Sequence, residues 1–375
     1  MNNKLDLKDG IKEYLECCRK KICNYEKLIL FGASKTGEKV YSFLQDIQAT
    51  NKLCMVVDND KGKYRQNFHG LFVCNRYEMK EFIDKNQNCL VMVASGSAHI
   101  IIKELEKEGI NKHIMEAFPF GFIEVNPTPY EYINTHLKDI LFVEHRLSDE
   151  KSKQVYFNIL NFKMTRKSEF LSEVADEEKK QYLGDGFFRL GEEEYIVDCG
   201  SYIGDTLIQF KQWLQRWNKY TCIEADKNVY SRLEENIKEI GVEQVYTIQC
   251  GCWNKDGYVS FEGNNSETGH IVEDTNGMEM IETKKLDSLF RDDKVTFLKM
   301  DIEGAEIAAL EGAESLIKRE RPIMAISIYH SLEDFIKIPK ILIKKLTDYN
   351  FYVRHYRMLS DSETVMYAVP KERIV

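Results

Sequence analysis

The chain has 375 residues, 43% hydrophobic and 30% charged, with 61 Asp and Glu against 52 Lys and Arg for a formal net charge of −9. That balance excludes the basic footprint of a nucleic-acid binder, and no apolar run approaches the roughly 20 residues needed to cross a bilayer. Residues 1–10 are polar and lack a signal-peptide core, and the 10 cysteines show no zinc-finger or Cys-x-x-Cys spacing. They read as reduced, mostly buried thiols, and the expectation is a soluble, cytoplasmic protein with two domains plus connecting structure.

A helical leader is expected over about Leu5–Asn24. The apolar runs Lys27–Phe31, Leu53–Val57 and Cys89–Ala94 read as strands, with helices over Glu38–Asp46 and Ala98–Glu108. Strands alternating with helices favour a parallel sheet, so residues 1–125 form a small Rossmann-like accessory domain behind the leader. Gly32, Gly37 and Asp58 imitate the ends of a dinucleotide fingerprint. Ser34 replaces the middle glycine, where backbone must approach a pyrophosphate. The domain is read as structural or acceptor-presenting, with nucleotide or nucleotide-sugar binding as the alternative.

Residues 126–190 open on the breaker Asn126-Pro127-Thr128-Pro129 and carry periodic apolar positions such as Val155, Ile159 and Phe162, which indicates connecting helices. Residues 191–375 alternate again. Strands are expected at Tyr195–Cys199, Tyr220–Ile223, Val245–Cys250, Val295–Met300, Ile323–Ile328, Phe351–His355 and Thr364–Val369. They predict a seven-stranded Rossmann-like sheet whose last two strands are antiparallel. The stretch Tyr258–Thr283 is expected to add hairpin strands and a polar loop with Asn264, Asn265, Ser266, Gly269 and His270.

The densest chemistry lies in Val197-Asp198-Cys199-Gly200-Ser201-Tyr202-Ile203-Gly204-Asp205-Thr206 and in Glu224-Ala225-Asp226. An apolar strand ends in an acid and two glycines four apart, leaving bare backbone against a ligand. The spacing is neither Gly-x-Gly-x-x-Gly nor a P-loop. Acids at the ends of successive strands suit an amino group and ribose hydroxyls, and S-adenosylmethionine has both.

The segment from about Glu194 to Pro370 resembles the FkbM family of S-adenosylmethionine-dependent O-methyltransferases. The residues that carry this are Val197-Asp198-Cys199-Gly200, Lys285-Leu286-Asp287-Ser288-Leu289 and Phe297-Leu298-Lys299-Met300-Asp301-Ile302-Glu303-Gly304-Ala305-Glu306. Leu310-Glu311-Gly312-Ala313, Arg321-Pro322 and Ile328-Tyr329-His330 continue the match. The resemblance implies a class I methyltransferase domain, a hydroxyl acceptor on a glycan, nucleotide-linked or lipid-linked sugar, and a place in polysaccharide biosynthesis. Related nucleotide-binding-like domains precede such modules and sugar acyltransferases.

For the donor, Glu224 is expected to hold the ribose hydroxyls through both carboxylate oxygens. Asp198 and Gly200 would take the methionine end, with Ser201, Tyr202, Gly204, Asp205 and Thr206 completing the loop. Ala225 and Asp226 follow Glu224, and Cys252 and Trp253 would border the adenine. For catalysis, Asp301 and Glu303 leave the fourth strand at the same rim, and His330 is the histidine best placed as general base. His270 and His355 are weaker candidates. Glu306 is read as serving the positive end of its helix. A divalent ion on Asp301, Glu303 and a histidine is an alternative without supporting spacing, and no metal is assigned. A scaffold with a degenerate donor site, and a fusion with a nicotinamide-dependent oxidoreductase, remain the other readings.

Overall fold

In the computed structural model, which describes residues 5–95, 98–118, 127–184, 186–214, 216–262, 270–272 and 279–375, the chain divides into two units. One joins Asp6–Asn134 with Asn161–Ser168, the other Thr135–Leu160 with Glu169–Val375.

The first unit holds a six-stranded sheet: β1 (Lys27–Phe31), β2 (Leu53–Val57), β3 (Asn67–Phe68), β4 (Leu71–Cys74), β5 (Cys89–Val93) and β6 (Met115–Ala117), in the order β3-β4-β2-β1-β5-β6. All pairings are parallel except the short β3–β4 hairpin. Successive side chains of a strand point to opposite faces. Leu28 and Leu30 therefore join one core with Leu90 and Met92, while Ile29 and Phe31 join another with Val91 and Val93. Burial on both faces explains why the sequence shows continuous apolar runs here. Ser34 caps the helix Lys35–Asp46 by accepting from the Gly37 amide. The Asp58 carboxylate accepts from the Ala33 amide at 2.8 Å, the Asp60 amide at 2.9 Å and Lys63 Nζ at 3.0 Å. The acid that imitates a ribose ligand is thus engaged by its own loop and by the loop after β1.

The second unit is built on β7 (Tyr195–Cys199), β8 (Lys219–Glu224), β9 (Val245–Gln249), β10 (Gly251–Cys252), β11 (Gly257–Glu262), β12 (His270–Val272), β13 (Glu279–Lys284), β14 (Phe297–Met300), β15 (Ile323–Ser327), β16 (Tyr349–His355) and β17 (Thr364–Pro370). The main sheet has seven strands in the order β16-β17-β15-β14-β7-β8-β9. β17 pairs antiparallel with both β15 and β16, and the other pairings of the sheet are parallel, in agreement with the antiparallel pair read from the sequence. The strand order reverses between β7 and β14, the topological switch point at which α/β sheets bind ligands. The expected hairpin region forms a second sheet, β10-β13-β11-β12; residues 264–266 and 269 of its polar loop lie outside the described residues. Among the described residues, no helix is long and apolar enough to cross a membrane.

The i, i+4 spacing of Trp213 and Trp217 reads as one helix face, and Arg354-His355-Tyr356-Arg357 reads as a solvated strand edge; both expectations need correction. Trp213 and Trp217 do not share a helix face. The helix ends at Trp213, which is exposed, whereas Trp217 packs on the core and donates to the Glu243 carbonyl. Arg354 and His355 are not on a solvated edge either. Both are buried, because Asp149 and Ser152, at the start of the helix Glu150–Thr165, receive the Arg354 guanidinium at 2.7 and 2.8 Å.

Candidate active site

The loop after β7 has a backbone that side chains cannot share. Gly200 has φ +76°, and a Cβ there would stand 1.9 Å from the Asp301 carbonyl oxygen. Ser201 is buried and ties the loop to β8: its hydroxyl donates to the Asp198 carbonyl at 2.8 Å and accepts from the Ile223 amide at 3.1 Å. Gly204, at φ +88°, opens the helix Asp205–Trp213. Tyr202 also sits in the left-handed region, at φ +47°, uncommon for a non-glycine residue. That conformation turns its amide onto Glu224.

Glu224 ends β8 with both oxygens oriented. Oε2 accepts from the Tyr202 amide at 3.0 Å and Oε1 from the Asp226 amide at 2.9 Å. Burial pushes its carboxyl above the ordinary value, opposed by those amides. Asp226 spends one oxygen capping the next helix, accepting from the Asn228 and Val229 amides.

Of the residues expected at the site, Gly200, Tyr202, Asp205, Thr206, Glu224, Ala225, Asp226, Cys252, Asp301 and Glu303 line one cavity at the switch point. Asp198 is not in that wall. It is fully buried and pairs with Lys299, its register partner on β14, at 2.9 Å, while Tyr220 donates to its other oxygen at 2.9 Å. Lys299 also donates to the Gly200 carbonyl at 2.7 Å. The Asp198 carboxyl therefore braces the loop from beneath. Burial raises its pKa even with Lys299 beside it. Burial alone would lower that of Lys299, but Asp198, Asp301 and Asp205 drive it upward. Trp253 is also outside the wall: its amide donates to the Lys284 carbonyl at 3.0 Å, and its own carbonyl packs so closely on Gly312 that a Cβ there would come within 2.0 Å.

At the β14 and β15 ends, His330 gathers the acids. Its Nε2 lies 3.0 Å from Asp301 Oδ1 and 3.1 Å from Glu306 Oε1, and its Nδ1 lies 3.5 Å from Glu303 Oε2. Tyr329 donates to Asp301 at 3.0 Å. Burial alone would lower the pKa of the imidazole, but Glu306 and Asp301 hold it well above the ordinary histidine value. Glu306 does more than serve a helix end. It is fully buried, and its Oε1 accepts from the Ile302 amide at 2.8 Å. Glu303 holds φ +54°, a strained conformation of the kind found at functional sites. Of the weaker candidates, His355 is fully buried with Nδ1 2.9 Å from the Thr364 hydroxyl, and His270 falls in β12.

Several cavity residues were not expected: Gln181, Tyr182, Lys299, Tyr329, Arg357 and Glu363. Glu363 sits at φ +60° before β17 and accepts from Gln181 Nε2 at 2.8 Å. Burial and the Asp301 charge push its carboxyl up to about 7. The cavity carries Asp205, Glu224, Asp226, Asp301, Glu303 and Glu363 against Lys299 and Arg357, a surplus of acid that suits a cation.

Residues 198–357 match the methyltransferase FkbM domain. The chain carries an FkbM-type methyltransferase domain. The methyltransferase FkbM from Methylobacillus flagellatus KT superimposes with a TM-score of 0.64 at 20% identity, over 97% of this chain and 99% of that one. At that identity the shared property is the α/β fold. An rRNA methylase from Streptococcus thermophilus matches at TM-score 0.33 and 15% identity, over 54% of this chain and 93% of its own. Fibrillarin from Aeropyrum pernix, solved with S-adenosyl-L-methionine, matches at TM-score 0.31 and 15% identity, over 49% and 70%. No curated protein matches the chain. The FkbM domain thus spans the glycine loop, Glu224 and the Asp301–His330 cluster, and implies a methyl donor of the S-adenosylmethionine type.

Proposed function

We propose that the cavity binds S-adenosylmethionine and that the protein methylates a hydroxyl group of a sugar, on a nucleotide-linked or lipid-linked glycan precursor. The observation that carries the donor half is Glu224. Two backbone amides fix its carboxylate at a strand end, beside a loop whose glycine backbone leaves room for a ligand. Each oxygen keeps a lone pair for one ribose hydroxyl. Asp205 and Thr206 open the following helix within reach of the methionine end, and Cys252 borders the base. The acid surplus favours a sulfonium over its neutral product, so it stabilises the bound donor. Asp198, through Lys299, keeps the Gly200 carbonyl in place.

The acceptor half lies with Asp301, Glu303 and His330, with His330 holding the two carboxylates in position. Transfer is an in-line displacement: the acceptor oxygen forms a bond to the methyl carbon as the carbon–sulfur bond breaks, leaving S-adenosylhomocysteine. The hydroxyl proton needs a base at the cavity wall. Glu363 is the carboxyl best matched to that task, since a base is most effective with a pKa near the working pH. The sugar assignment draws on the family resemblance.

Incubating the chain with methyl-tritiated S-adenosylmethionine and a panel of nucleotide sugars and glycan extracts tests both halves. The expected result is label in an alkali-stable methyl ether. Label in an amine or carboxyl ester would overturn the hydroxyl acceptor, and absence of donor binding in calorimetry would overturn the donor.

A further inference from the structure

We propose that Asp301, Glu306 and His330 form a divalent-cation site of the Mn²⁺ type, whose remaining positions take two adjacent hydroxyls of the acceptor. The three groups offer one ligand atom each, all within 4.8 Å of one another. His330 Nε2 stands 3.0 Å from Asp301 Oδ1 and 3.1 Å from Glu306 Oε1. Ligands at right angles on an ion with bonds of about 2.1 Å lie about 3.0 Å apart, whereas tetrahedral ligands at that bond length lie about 3.4 Å apart. The spacing is that of one octahedral edge on each side of the imidazole.

Two further observations point to an ion rather than a proton between these groups. His330 Nε2 is buried, yet neither nearby oxygen lies where an N–H hydrogen bond would place it, and Glu306 Oε2 is buried with no hydrogen-bond partner among the described residues. Buried polar atoms without partners are rare in folded proteins. The side chains of His330 and Glu306 are 7% and 0% exposed, so water does not satisfy them from outside. The other ring nitrogen, Nδ1, faces the Glu303 carboxylate at 3.5 Å. A carboxylate on the far nitrogen is the usual brace of a metal-bound histidine. The left-handed backbone of Glu303 keeps that brace in reach.

Two carboxylates with one imidazole form a hard-to-borderline donor set, suited to Mn²⁺ and neighbouring first-row ions. Asp301 belongs to the cavity wall, so the open positions of the ion face the acceptor. An ion there orients a diol and makes one of its hydroxyls more acidic. The ion is not consumed, and the proton leaves to the cavity base. The diol half rests on the hydroxyl-acceptor reading above. The ion half does not, since it is read from these side chains alone.

The test titrates the metal-stripped full chain with Mn²⁺, following free ion by electron paramagnetic resonance, without donor or acceptor. One ion per chain is expected. His330→Gln and Glu306→Gln should each weaken uptake at least about 100-fold, and Glu303→Gln roughly 10–100-fold as a bracing residue. S-adenosylmethionine titration of each variant shows whether it is folded. No uptake by the wild-type chain at millimolar Mn²⁺ overturns the site, and so does uptake unchanged in folded His330→Gln and Glu306→Gln. Should the wild-type chain take up Mn²⁺ yet fail to bind S-adenosylmethionine, the ion site stands and the methyl-transfer reading falls.

Discussion

Replacing Lys299 by Met tests how the donor loop is held. The Lys299 side chain is 4% exposed and its partner Asp198 is 0% exposed, 2.9 Å away. Met is of similar length and carries no charge, so packing is largely kept while the Asp198 carboxylate retains only the Tyr220 hydroxyl. Removing one member of a buried ion pair costs about 3–5 kcal/mol, because the other charge is left unpaired in a medium that solvates it poorly. For a unit of this size that corresponds to a fall in Tm of roughly 6–20 °C. The pH dependence separates an orphaned charge from lost packing. Burial already raises the Asp198 carboxyl above its ordinary value, and without Lys299 it rises further. A carboxyl raised in the folded state stabilises fully below its unfolded pKa, about 3.9, and that stability is lost as pH climbs through the folded pKa. The deficit of Lys299→Met should therefore be larger at pH 8 than at pH 5.5. Adding Asp198→Asn removes the second charge while leaving an acceptor for Tyr220, and should recover most of the loss. Thermal unfolding of the three variants at both pH values is the assay. A loss below about 1 kcal/mol, an equal deficit at the two pH values, or a double variant as unstable as the single one would refute the pairing argument.

Glu224→Ala removes the carboxylate proposed for the ribose; charged hydrogen bonds contribute about 1.5–3 kcal/mol each, so calorimetry should show S-adenosylmethionine bound at least about tenfold more weakly by a folded variant. Gly200→Ala places a Cβ 1.9 Å from the Asp301 carbonyl at φ +76°; strain of about 1–3 kcal/mol plus the clash should lower Tm and abolish donor binding, measured on the same sample. Glu363→Gln keeps the hydrogen-bonding shape of the side chain but cannot take a proton. Turnover should fall by roughly 10²–10⁴ with donor affinity nearly unchanged, and an equal loss of both would give Glu363 a structural role instead.

The sheet was legible because its strands are buried on both faces, which leaves apolar runs such as Tyr195–Cys199 and Ile323–Ser327 plain in the sequence. The short strands β3, β4, β6 and β10 were not, since little periodicity can establish itself over two to four residues, whereas β14, four residues long, showed because its apolar run already begins at Val295. The Trp213 and Trp217 spacing misled for a related reason: four residues apart is a helical signal only if the helix continues, and here it stops at the first of the two.

At the site, what was legible is what is local in sequence. The glycine loop and Glu224 each carry their chemistry within a few residues. Glu363, Gln181 and Arg357 come to the same wall from distant segments, and nothing near them marks the destination. Asp198 is the instructive case. An acid after an apolar strand and before a glycine suggests a ligand contact, yet Phe297-Leu298-Lys299-Met300 places an equally unusual lysine inside another apolar run. A charge inside a doubly covered strand needs an opposite charge on a neighbouring strand. β7 and β14 are adjacent, parallel and in a register that sets Asp198 directly beside Lys299. The two anomalies explain each other, so the more economical reading of an acid within a buried strand is a partner for a buried base, with the proposed ligand contact left to the carboxylate at the open end of β8, Glu224.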